Sequence, residues 1–147
     1  MAKIVPVEIN DLYTLAVSKW EDAKILLANN RYAGAVYNAG YVIELLLKRH
    51  IAKRLDWSEY PPFEIKTDGQ AAKYTSEQFK NFIGHSIKDL SVLAGMYSNL
   101  MVAHKDEFNY ILQWSPTMRY NSSKVTKDEA EAVLNSVKII ANYLSKK

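Results

Sequence analysis

The sequence predicts an all-α fold, one domain built as a single bundle of four to five helices, and three observations predict it. Apolar residues recur at the 3.6-residue period through several long windows. Nowhere does a run alternate apolar and polar residues as a half-buried strand would. The five glycines and four prolines fall mostly between the periodic windows, where a bundle needs its turns.

The elements follow in order. Asn10 is a suitable N-cap, and Leu12, Leu15, Ala16, Ala23, Leu26 and Leu27 continue from it at helical spacing, so a first helix is expected over 10–29. The pair Asn29-Asn30 tolerates left-handed backbone and ends it. A second helix over about 31–55 carries "YAGAVYNAGYVIELLLK", apolar on most sides, as a central helix packed by several others should be. Gly34, Ala35, Ala39 and Gly40 let neighbours approach closely. A narrow polar stripe remains at Tyr37, Tyr41, Glu44 and Lys48, whose spacings of four, three and four place them on one face.

Between Asp56 and Ile83 periodicity is lost, and "EYPPFEIKTDGQ" reads as a long irregular connection. Ser86 with Asp89 resembles a capping box for a third helix that Ile87, Leu90, Ala94, Tyr97 and Met101 continue without a break. A short fourth helix is expected from Lys105 to Gln113, with Phe108, Ile111 and Leu112 inward and Pro116 beyond its end. Thr126 with Glu129 caps a fifth, whose apolar face is Ala130, Val133, Val137, Ile140, Ala141 and Leu144.

Composition excludes several function classes. With no cysteine there are no disulfides, no thiolate zinc sites and no cysteine nucleophile, which suits a reducing compartment and gives the expectation of a cytoplasmic protein. No basic-then-apolar leader opens the chain and no apolar run approaches about 18 residues, so neither secretion nor membrane spanning is expected. A net charge of +3 permits an anionic partner without the excess of a nucleic-acid coat protein. Ten tyrosines suit packing, a protein interface or a stacking platform equally well.

His50, His85 and His104 are scattered and lack partners at helical metal-site spacing, so no metal is expected, and no cofactor. Glycine-rich phosphate loops and serine-hydrolase elbows are absent. Two features remain. Glu44 and Lys48 form either a plain i,i+4 ion pair or part of a polar cleft, since charges inside an apolar helix need partners or a purpose. Arg119 and Tyr120 precede the last helix, where a guanidinium beside unpaired N–H groups makes an anion site. The plainer alternative is that Arg119 caps the preceding helix and Tyr120 packs.

Taken together, "NNRYAGAVYNAGYVIELLLKRHIAK", "GHSIKDL", the later "RY" and the capped last helix resemble the HEPN domain, a small α-helical domain implicated in nucleotide and RNA binding. The likeness runs from about Asp11 to Tyr143 within one domain spanning 1–147. It implies homodimers with a polar cleft between protomers and, in toxin–antitoxin pairs, a small nucleotidyltransferase-like partner. Catalytic members of the family are metal-independent ribonucleases that carry Arg, four to six residues, then His. Here no histidine follows Arg119 at that interval, nor Arg31, Arg49 or Arg54.

The expectation is therefore a non-catalytic domain that binds nucleotide or RNA phosphate. Arg119 and Lys124 would contact phosphate, Lys48, His85 and Glu44 would lie nearby, and Tyr41 or Tyr120 would offer a stacking face. Two alternatives stand beside it. One is a ribonuclease with His85 as an unorthodox base, with His50 brought close in a dimer as a second possibility. The other is a helical adaptor that binds protein through Tyr37 and Tyr41.

Overall fold

A computed structural model describes residues 3–62, 65–66, 80–114 and 124–147. The fold is all-α. Among the described residues it has three long helices, α1 (Ile9–Ala28), α2 (Tyr32–Arg54) and α7 (Lys127–Ser145). Four short ones lie between them: α3 (Lys80–Ile83), α4 (Ile87–Leu93), α5 (Tyr97–Ala103) and α6 (Lys105–Leu112). None of these helices is long and apolar enough to cross a membrane.

The chain's start differs from the expected cap. Val7–Glu8 (β2) pairs antiparallel with Glu59–Tyr60 (β3), and Lys3–Ile4 (β1) pairs with Ile65–Lys66 (β4). These two-residue strands are too short to leave an alternating pattern in the sequence. Strand pairing leads directly into α1: the Ile9 N–H donates to the Ser58 carbonyl, so an early helical donor is satisfied across the strands. Glu8 occupies the cap position without a side-chain bond, and Asn10 lies inside the first turn, where its carbonyl accepts from Thr14 Oγ1. Leu12, Ala16 and Ala23 are buried, whereas Leu15 is 42% exposed and stands off the core stripe.

The α1–α2 turn has Asn30 at φ 62°, the left-handed backbone that asparagine accepts more readily than most residues. From there α2 runs through the middle of the fold. Val36, Ile43, Leu47 and Ile51 are among its buried residues, and α1, α4, α7 and β3 pack around it. The small residues serve those approaches. A Cβ on Gly34 would lie 3.3 Å from Leu26, and one on Gly40 would overlap the Trp114 ring at 2.1 Å.

The third expected helix is interrupted. Gly95 adopts φ 71° and separates α4 from α5, although Ile87, Leu90 and Ala94 on one side and Leu100 on the other are all buried. Arg54, at the end of α2, donates from Nη1 to the Leu93 carbonyl at 3.0 Å and so satisfies a helix end at the break. Both capping boxes form their first half: Ser86 Oγ accepts from the Asp89 N–H and Thr126 Oγ1 from the Glu129 N–H, each at 3.2 Å. In α6, Phe108 and Ile111 are buried and Leu112 is half-buried; in α7, Ala130, Val137, Ile140 and Leu144 are buried.

Gly40→Ala is expected to destabilise the fold by about 1–3 kcal/mol, because the new methyl displaces a buried indole. Chemical denaturation measures this, and a wild-type midpoint would show that Trp114 does not need the space.

Candidate functional site

Burial of Glu44 organises the site. The side chain projects from the middle of α2 and is 2% exposed as a residue, so its carboxylate must find partners inside the protein. It has two. Lys48 Nζ, one turn along the same helix, lies 3.1 Å from Oε2, and His85 Nδ1, in the turn between α3 and α4, lies 2.9 Å from Oε1. Glu44 and Lys48 are therefore two members of a three-group cluster. Its third member comes from 41 residues away.

The geometry fixes the imidazole. An ionised carboxylate only accepts, so Nδ1 carries the hydrogen of this contact and Nε2 points away from it. The His85 side chain is 50% exposed, and among the described residues no protein group bonds Nε2. Lys48, at 13% side-chain exposure, is held between Glu44 and the Tyr60 ring, whose centroid is 5.8 Å away. Tyr60 is buried, and burial, with the nearby Glu44 charge, raises its hydroxyl far above the ordinary tyrosine pKa. It stays protonated and donates to the Phe82 carbonyl, which ties β3 to the chain entering His85.

Aromatic rings continue the stripe. Tyr41 meets His85 edge-on at 6.3 Å and Trp114 at 5.0 Å, and the Tyr37 hydroxyl bonds that of Tyr41 at 3.3 Å. Lys19 of α1 lies 5.6 Å from the Tyr41 ring centroid and was not anticipated from the sequence. Its only sequence signal is that an antiparallel α1–α2 pair brings the middle of α1 to that of α2.

The structure thus brings together Tyr41, Glu44, Lys48 and His85. Lys124 is exposed at the approach to α7. Arg119 and Tyr120, on which the anion-site expectation leaned most, lie outside the described residues. His50 is half-buried elsewhere on α2, where burial and then the charges of Lys53, Arg49 and Arg54 lower its pKa. His104 packs edge-on against Tyr143. Among the described residues no group of three His, Asp or Glu side chains is placed to hold a metal ion.

No family model matches the chain, and neither a curated protein nor a solved structure does. The likeness to HEPN domains rests on the residues quoted for it above.

Glu44→Gln leaves Lys48 beside a neutral amide and removes the charge facing His85. Losing one partner of a buried pair costs about 3–5 kcal/mol. The measurable outcome is a large fall in denaturation midpoint, and a neutral effect would mean that the carboxylate is not needed where it lies.

Proposed function

We propose that this chain is a non-catalytic HEPN-like domain that binds a phosphate-bearing ligand, a nucleotide or RNA, at the Glu44–Lys48–His85 cluster. The observation that supports it is the buried carboxylate holding an ammonium and a half-exposed imidazole together beside Tyr41. Lys48 supplies the cation of the cluster, and His85 Nε2, which no described protein group bonds, is available to a phosphate oxygen. Tyr41 supplies an aromatic neighbour. From the sequence, Arg119 and Lys124 belong to this proposal as further phosphate contacts, and Tyr120 as a stacking face. So do the cytoplasmic setting, a second copy of the chain and a nucleotidyltransferase-like partner in a toxin–antitoxin-type pair.

Titration with AMP and with a short single-stranded RNA at low salt is expected to saturate, and the affinity to fall steeply as salt rises. His85→Ala and Arg119→Ala should each weaken binding at least about tenfold with the helical circular-dichroism spectrum retained. Absence of saturation for both ligands at low salt and millimolar concentration would falsify the proposal.

A second reading, a metal-independent ribonuclease, is favoured by one contact: the carboxylate on Nδ1 holds His85 as a proton-transfer group is held. Nε2 would take the 2′-OH proton as the 2′-oxygen attacks phosphorus, and would return it to the departing 5′-oxygen. Lys48 would favour the charge gathered on phosphate. RNA incubated with excess chelator should then be cut, and His85→Ala should slow cutting by about 10²-fold or more. RNA left intact at high protein concentration would leave binding alone.

A further inference from the structure

We infer that, besides a nucleotide or RNA phosphate, this site takes a second ligand class, an amphiphilic anion, whose charged group meets Lys48 and His85 while an apolar group the size of a benzene ring enters a pocket beside them. The inference rests on the anion-binding reading above and adds to it a ligand class.

The pocket has a volume of about 150 Å³ and shares Lys48 and Tyr60 with the cluster. Val7 from β2, Leu12 from α1, Leu45 from α2 and Ile83 two residues before His85 form its walls. Leu15 and Val5, exposed apolar residues that the core does not use, also line it. Their exposure gives the pocket an apolar rim, which accounts for the place of Leu15 off the buried stripe of α1.

The lining selects chemistry. Lys48 is the one charged group among the described lining residues, and its ammonium is oriented by Glu44. Tyr60, the other polar side chain there, already donates its hydroxyl to the Phe82 carbonyl. A nucleobase edge pushed into this space would lose its hydrogen bonds to water and find few in return, which is costly. A hydrocarbon group loses nothing of the kind, and an aliphatic cavity of about this volume is known to accept benzene. The cation at the wall and the imidazole nearby favour a carboxylate or a phosphate at the other end of the same molecule. Both heads share the required charge, and the experiment separates them.

Binding to the full chain is measured by isotope-edited NMR with phenyl phosphate, inorganic phosphate, benzoate, acetate and AMP. Phenyl phosphate should bind at least about tenfold tighter than inorganic phosphate, or benzoate than acetate, from the buried ring. Whichever pair shows the gain identifies the head group. Leu15→Trp, a change at a site 42% exposed, should fill the pocket mouth and remove the gain. Equal affinities within both pairs would overturn the inference while AMP or phosphate binding kept the anion-site reading alive. Failure of all five to bind would remove the inference, and the anion-site reading would fall with it only if the short RNA also failed to saturate.

Discussion

A carboxylate at the centre of the central helix is the constraint around which this fold is arranged. Glu44 is 2% exposed, and an ionised side chain there carries a desolvation penalty of several kcal/mol unless both oxygens are engaged. One is engaged locally by Lys48, a helical turn on. The other is engaged by His85, so the turn between α3 and α4 must approach α2 at this height. Tyr60 then closes the cluster on the strand side, with its hydroxyl on the Phe82 carbonyl and its ring near the Lys48 ammonium. Three separate segments are thus registered on one buried charge.

The same face of α2 carries a second constraint one turn earlier. Gly40 has no side chain, and the Trp114 indole occupies the space that one would take, against Tyr37 and Tyr41. That contact seats the end of α6 on α2 beside the charged cluster. Tyr41 touches both, edge-on to Trp114 and to His85. Small, aromatic and charged residues therefore divide one stripe among them: the first admits a helix end, the second bridges, and the third fixes a loop.

Much of the fold was legible because it is local. The long helices announce themselves by period, and the caps at Ser86 and Thr126 by residue type at a fixed offset. What escaped was non-local. Asn10 has the chemistry of a cap, but pairing of Val7 with Tyr60 delivers the chain to Ile9 already bonded, and a contact across 53 residues leaves no periodic trace. The break at Gly95 was hidden because apolar spacing continues through it, while the Arg54 side chain that satisfies the interrupted end lies 39 residues away. At the site, the spacing of Tyr37, Tyr41, Glu44 and Lys48 disclosed a shared face, since helix geometry alone sets it. The bond from His85 to Glu44 spans 41 residues and leaves no periodic trace; the resemblance placed "GHSIKDL" among its pieces without saying what its histidine touches.

Stability alone does not call for this cluster. Apolar residues of similar volume in place of a buried ion pair are often neutral or stabilising, so a sequence selected only for a durable core has little reason to keep Glu44, Lys48 and His85 in contact. What the cluster provides, and leucines could not, is direction. The carboxylate engages Nδ1 and, among the described residues, leaves Nε2 without a protein partner on a ring that is half in solvent. A surface histidine without such a partner samples several rotamers and pays conformational entropy whenever it engages another molecule. Here that cost is met during folding, by the same contact that neutralises the buried charge. The offset to burying Glu44 and the fixed setting of the His85 ring are then two consequences of one hydrogen bond.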